Sequence, residues 1–348
     1  MTTYEHVNKT ASKDWLNFAL KANGYLHSGQ VVAVDQRISR IGTTLTSTFY
    51  QLDITYSSDF EGNVPSSCLM KVGKPEMFSI TKAEATFYER ARSRGPTEGL
   101  LTSFATAVDE PLQSAVILLE DRLDCAAPSE WPLPPTLDNC KRAIRSLANV
   151  HGRWWNSAEL KDPSFEEQMY HPMTAEQRTL LLSSFFTSLG DRLSPDRRAT
   201  LENLSDRYDR VLQRHIEQTT AHTLVHGDAH FWNFLYPSDV SLPVLIDWQS
   251  FSANSPAYDL AYMIALHWFR ERRQRFEKLL LHAYLEELQK CGINYRFDDL
   301  WHDYRLQVAA LMFFPIIQWS HKVPPLVWWS HLDRAFAAFD DLACRELF

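Results

Sequence analysis

The chain has little that would tie it to a membrane, a nucleic acid or an oxidising compartment. Its five cysteines (Cys68, Cys125, Cys140, Cys291 and Cys344) are odd in number and scattered. Neither a disulfide framework nor a cysteine metal site is expected from such spacing, and a reducing compartment is. The longest apolar run, VAALMFFPII from Val308 to Ile317, is too short to cross a bilayer and contains Pro315. Positive charge is also in deficit. The net charge is −8, without a block of like charges, so neither a nucleic acid nor an anionic membrane is expected as a partner. The nearest exception, RERRQR from Arg270 to Arg275, is interrupted by Glu271 and reads as a solvated helix face. The first residues, MTTYEHVNKTASKDW, lack a basic segment followed by an apolar one. No signal peptide is expected, and the cytoplasm is the expected location. There is no internal repeat and no low-complexity segment.

What is present is the composition of a globular protein, 45% apolar and 22% charged over 348 residues, enough for two lobes with separate cores. The texture changes along the chain. SKDWLNFAL puts Trp15, Leu16, Ala19 and Leu20 on one helical face behind a Ser12 cap. QVVAVDQRIS, TSTFYQLDITY, SSCLMKVG, LTSFATAVDE and SAVILLED read as strands, with a helix over ITKAEATFYERARSRG stopped by Gly95. Beyond the proline-rich APSEWPLPP the patterns are helical, including one long helical stretch from Pro256 to Gly292, interrupted only by the strand candidates HTLVHG and LPVLIDW.

One stretch concentrates chemistry: LVHGDAHFWNFLYP, Leu224 to Pro237. His226, Asp228 and His230 could form an H-x-D-x-H metal triplet, but no other His/Cys pair at ligand spacing supports it. Asp228 and Asn233, five apart and followed by a strand candidate ending Ile246-Asp247-Trp248, suit phosphoryl transfer better. That reaction needs a carboxylate for the proton of the attacking hydroxyl, and an amide oxygen and a second carboxylate for magnesium.

With Tyr258-Asp259-Leu260-Ala261 added, this series resembles the aminoglycoside phosphotransferase and choline kinase group, and most closely its ecdysteroid-kinase-like branch. EATFYER, LLEDRL and LANVHGRWW are similar to that branch in order and spacing. The resemblance covers the chain to about residue 262. It implies an α+β, bilobal protein-kinase-like fold: an antiparallel-sheet N-lobe over 1–121 and a mainly helical C-lobe over 122–348. Within the C-lobe it implies a catalytic loop at 224–237, a metal-binding segment at 243–250 and acceptor-binding helices at 262–348.

By the same resemblance, Asp228 matches the catalytic base, and Asn233 and Asp247 match the magnesium ligands. Lys71 matches the lysine that holds the α- and β-phosphates, and Glu84 its helix partner, with Glu89 as a rival. Glu120 and Arg122 lie where backbone groups meet the adenine edge, and Asp259 matches a structural aspartate. The implied cofactors are Mg2+ and ATP. One feature departs from the protein-kinase pattern: the phosphate-covering loop lacks G-x-G-x-x-G and offers Gly42 and Thr43 with Thr44, Thr46, Ser47 and Thr48, whose N–H groups and hydroxyls can still cradle phosphate.

The expected activity is ATP-dependent phosphorylation of a hydroxyl on a small molecule, such as an antibiotic, amino alcohol, sterol or other metabolite. His230 and the pair Trp328 and Trp329 are candidate acceptor contacts. The tryptophans sit in QWSHKVPPLVWWSHLD, whose prolines and polar residues suggest a cleft-lining loop. Two alternatives stand beside this: a catalytically silent kinase-like binding protein, and a metal-dependent hydrolase built on His226, Asp228 and His230.

Overall fold

A computed structural model of the chain describes residues 11–122, 125–165, 173–218 and 221–348. The chain divides into two compact units, one made of 1–127 and 235–251, the other of 128–234 and 252–348. Residues 235–251, expected with the helical part, thus pack with the sheet-bearing unit.

The first unit opens with α1 (Lys13–Ala22), capped by the Ser12 hydroxyl accepting from Trp15 N–H at 3.2 Å. Then follow β1 (Leu26–Ser28), β2 (Val31–Thr43), β3 (Ser47–Tyr56), β4 (Glu61–Gly62) and β5 (Ser67–Gly73). After them come α2 (Phe78–Ser93), β6 (Ser103–Asp109) and β7 (Ser114–Glu120). Five strands form one antiparallel sheet in the order β2-β3-β5-β7-β6.

Alternation along β5 sorts its side chains onto two faces. Cys68, Met70 and Val72 enter a core with Leu52, Val116 and Leu118, closed by Leu16 and Leu20 of α1. Leu69 and Lys71 take the opposite face. α2 lies close to β5 because Gly73 has no side chain: a Cβ there would come within 2.3 Å of Thr81 Oγ1. Gly95 follows α2 in the left-handed region, at φ 82°, as a helix stop requires.

After the sheet the chain continues with α3 (Leu137–Trp154), α4 (Ala175–Leu189) and α5 (Pro195–Gln218), then the short strands β8 (Thr223–Val225), β9 (Phe234–Leu235), β10 (Val244–Leu245) and β11 (Ser252–Asn254). β10 lies in the segment that joins the first unit, while β11 pairs antiparallel with β8 within the second. The remaining helices are α6 (Ala257–Ala261), α7 (Arg270–Lys290), α8 (Phe297–Ala310), α9 (Phe314–Ser320) and α10 (Pro325–Asp341).

Two expectations are corrected here. The helical stretch expected from Pro256 to Gly292 falls into separate helical pieces rather than one run. After α6 a π-helical turn covers Tyr262–Leu266, and Phe269 is extended at φ −68° and ψ 156° before α7 begins. No glycine or proline marks the break. Across it His267 Nδ1 is bonded to Tyr262 O at 2.9 Å, a local contact, and the Trp268 ring stacks on the distant Phe231. The cleft-lining loop expected around the tryptophan pair is instead mostly helix, since both tryptophans lie in α10. Pro325 opens that helix at its first position, where a missing N–H and a fixed φ carry no penalty.

Candidate active site

In the first unit three charged side chains converge. Lys71 Nζ lies 2.5 Å from Glu84 Oε2 and 2.9 Å from Asp247 Oδ1. Lys71 and Glu84 are 5% and 1% exposed, so a water-filled setting does not weaken their attraction. Glu89, the rival for Glu84, is exposed on the other side of α2.

Burial disfavours the Lys71 ammonium, but the Glu84 and Asp247 carboxylates outweigh it and hold its pKa above the ordinary lysine value. Burial likewise raises the Glu84 carboxyl, against the pull of Lys71. Glu84 also accepts a bond from the backbone of Trp248. The Trp248 ring stacks on Phe87 of α2, with centroids 4.0 Å apart and planes at 5°, and its Nε1–H donates to Leu245 O at 3.0 Å. Asp247 is thus clamped between a paired lysine and a buried tryptophan. Its backbone is left-handed, φ 69°, a conformation that aspartate tolerates better than most residues but that still costs energy.

Near this cluster the β2–β3 hairpin carries the candidate phosphate loop. Gly42 is left-handed at φ 69°, and nothing lies within 4 Å of where a Cβ would stand. Thr43 is exposed, and its hydroxyl lies 3.2 Å from that of Thr48. Ser47 is fully buried; its N–H donates to Thr44 Oγ1 at 3.2 Å and its hydroxyl faces Thr46 Oγ1.

At the opposite end of the same strands lies a cavity of about 970 Å³, whose walls include Arg37, Gln51, Ser67, Phe104, Glu120 and Asp121. Glu120 closes the end of β7: its N–H donates to Thr102 O at 2.9 Å and its carboxylate accepts from Thr102 N–H at 2.8 Å. Arg122 directs its guanidinium to Cys125 Sγ at 3.1 Å.

In the second unit the loop after β8 carries Asp228 and Asn233. Gly227 turns the chain at φ 83°. Asn233 Nδ2 donates to Asp228 O at 2.9 Å and, at 3.3 Å, to Asp228 Oδ2. The other carboxylate oxygen, Oδ1, accepts from the Tyr262 hydroxyl at 2.6 Å.

Asp259 holds the loop from behind. Its Oδ2 accepts from His226 N–H at 2.6 Å and its Oδ1 from Gly227 N–H at 3.0 Å. His151 lies between Asp259, 3.1 Å from Nε2, and the Tyr284 hydroxyl, 2.8 Å from Nδ1. All of these groups are buried, so each bond is worth more than it would be in water. His226 is buried, with Nδ1 accepting from Asp228 N–H at 3.2 Å, and His230 Nε2 lies 4.0 Å from Asp228 Oδ2. Among the described residues no three His, Cys, Asp or Glu side chains converge as metal donors, and an inward-turned His226 does not suit the H-x-D-x-H site.

Trp328 and Trp329 line a separate cavity of about 680 Å³ in this unit, with Leu189, Arg192, Trp319 and Lys322 among its other walls. Asp228, Asn233 and His230 are not part of its lining. Trp328 is buried with its ring edge-on to Phe185, while Trp329 is 38% exposed.

Sequence reasoning missed His151 and Tyr262. A histidine inside the apolar face of α3 was a usable signal for the first. Nothing local singles out Tyr262, because its partner lies 34 residues away.

A family model matches residues 102–295, more than half of the chain. The chain belongs to the ecdysteroid kinase-like family. Known folds agree. An aminoglycoside phosphotransferase, APH(2″)-IIa, solved with gentamicin, superposes with a TM-score of 0.54 at 12% identity, covering 97% of each chain. A protein of Ralstonia eutropha described as a candidate aminoglycoside phosphotransferase gives 0.52 at 12% identity over 96% of this chain and 98% of its own. ADP-bound APH(2″)-Ib gives 0.52 at 12% identity over 97% and 98%. No curated protein matches the sequence significantly. The ecdysteroid kinase-like chain therefore has the α+β protein-kinase-like fold and falls in the class of small-molecule kinases acting on hydroxyl groups. Among its described residues no helix is long and apolar enough to cross a membrane.

Proposed function

We propose that this kinase-like protein transfers the γ-phosphoryl group of ATP to a hydroxyl of a small molecule, with magnesium as the nucleotide's companion. The observation that carries the reading is the simultaneous pairing of Lys71 with Glu84 and Asp247. A buried ammonium held by a helix carboxylate and a second, one-third-exposed carboxylate is poised to bind phosphate oxygens and to present Asp247 to a cation.

The donors present suit magnesium. Asp247 and Asn233 both offer oxygens, which this hard ion prefers. Asn233 spends its Nδ2 on Asp228, so its amide oxygen is oriented away from that bond. When bound, the metal neutralises charge on the transferred phosphoryl group. Gly42, Thr43 and Ser47 cover the phosphates, with Ser47 able to contribute only if the hairpin tip opens, since it is fully buried. Glu120 and Arg122 meet the base through their backbone, and the cavity beside Glu120 is large enough to receive one. The ADP held by APH(2″)-Ib supports a nucleotide as donor.

Asp228 accepts the proton of the attacking hydroxyl. Its carboxylate is 29% exposed and therefore reachable, and the neighbouring His230 contacts the acceptor. Trp328 and Trp329 bind a more distant apolar part of it. The test is calorimetric titration of ATP with and without Mg2+, followed by a screen of hydroxylated metabolites and antibiotics for ATP consumption. Magnesium-dependent nucleotide binding that is lost in Asp247→Ala is expected; nucleotide binding indifferent to both would remove the proposal.

A further inference from the structure

Asp228 has a partner that neither the family match nor the sequence motif assigns. Tyr262 Oη donates to Asp228 Oδ1 at 2.6 Å, the short distance typical of a hydroxyl–carboxylate bond. The tyrosine is 3% exposed, and three contacts fix its ring and backbone. Phe314 meets the ring edge-on at 5.2 Å, the Tyr258 ring lies nearly parallel to it at 6.4 Å, and His267 Nδ1 is bonded to its carbonyl. Tyr262 is also the first residue of the π-helical turn that breaks the helix. Such turns widen the helix by one residue and recur at functional sites.

We infer that Tyr262 is a positioning residue for phosphoryl transfer, locking Asp228 so that its Oδ2 faces the acceptor hydroxyl. This inference rests on the reading of Asp228 as the base. The two oxygens of the carboxylate are unequal. Oδ1 is engaged by a short bond from a rigid, buried phenol, whereas among the described residues Oδ2 has the 3.3 Å contact from Asn233 and a histidine nitrogen 4.0 Å away. A carboxylate bonded at one oxygen cannot spin about its Cβ–Cγ bond without breaking that bond. The oxygen left over is thus presented in one orientation, and such preorganisation lowers the barrier without changing how tightly substrates bind. The proton moves from the acceptor hydroxyl to Oδ2; Tyr262 keeps its own proton and transfers nothing.

The test is a cycle of Tyr262→Phe, Asp228→Asn and the double variant, with ATP turnover measured on the full chain using water as the acceptor. Tyr262→Phe keeps the ring packed between Phe314 and Tyr258 and removes one oxygen. It should lower kcat about tenfold, leave KM for MgATP and the melting temperature unchanged, and have no further effect in the Asp228→Asn background. An equal loss in both backgrounds, an unchanged kcat, or a rise in KM alone would overturn the positioning role. Should Asp228→Asn itself turn over normally, the base assignment falls and the inference with it. If Asp228→Asn is impaired and Tyr262→Phe is not, only the inference falls.

Discussion

The two units hold their functional carboxylates by different physics. In the first, charge answers charge: Glu84 and Asp247 flank Lys71 in a site with little access to solvent. In the second, Asp228 and Asp259 are held by neutral donors. These are a phenol, a side-chain amide and two backbone N–H groups, with the His151 ring also 3.1 Å from Asp259 Oδ2. The difference suits the separate tasks. A buried ion pair is costly to break but can exchange one anion for another, as a phosphate-binding ammonium must. A neutral hydrogen-bond cage fixes a carboxylate without neutralising it, as a proton acceptor requires.

The largest effect should come from the neutral cage. Asp228→Asn is expected to reduce kcat by ~10²–10⁴ while nucleotide affinity, read by calorimetry, stays unchanged. A collapse of affinity instead would give Asp228 the role assigned here to the charged cluster.

Next is the charged cluster. Lys71→Met leaves Glu84 buried without its counter-ion and should cost about 3–5 kcal/mol in denaturant titration. Glu84→Gln in the same background should recover part of that loss. If it does not, the charge of Glu84 is not what the lysine balances.

A smaller loss is expected for Asp259→Ala, which strips acceptors from His226 and Gly227 N–H. Roughly 1–3 kcal/mol should be lost, with faster amide exchange confined to the loop at 226–233. Uniform exchange across the unit would argue that Asp259 supports the whole core rather than the loop.

The smallest effect at neutral pH comes from a group that acts only in acid. Burial, with Arg334 and His230 nearby, lowers the His331 pKa to about 3, whereas an unfolded chain titrates near about 6.5. Below the unfolded value the unfolded chain binds the proton that folded His331 refuses. Stability should therefore fall as pH drops from about 6.5 toward 3. His331→Gln should flatten this slope in acid-denaturation curves and leave stability above pH 7 little changed.

Local signals made much of the molecule readable. The five strands announced themselves by β-branched, partly alternating residues, and α1 by its Ser12 cap. Asp228, Asn233 and Asp247 suggested phosphoryl transfer by type and spacing, and the family resemblance implied Lys71 and Glu84 beside them. Other features had no local mark. The break at Tyr262 lies in a sequence with good helix formers, and at it Tyr262 reaches Asp228 and Trp268 stacks on Phe231, partners no local pattern reveals. The tryptophan pair looked like loop because prolines precede it, yet those prolines start a helix.

The chain by itself determined which residues can form strands, which can carry charge into a core, and where a turn between short strands gathers Asp and Asn, since propensity and spacing act over a few residues. Tertiary structure alone decided that Glu84 rather than Glu89 meets Lys71, that Asp247 joins the sheet-bearing unit, and that Tyr262 reaches Asp228. Each of those outcomes depends on partners distant in sequence, brought together by burial, and no window of local sequence contains both members of the pair.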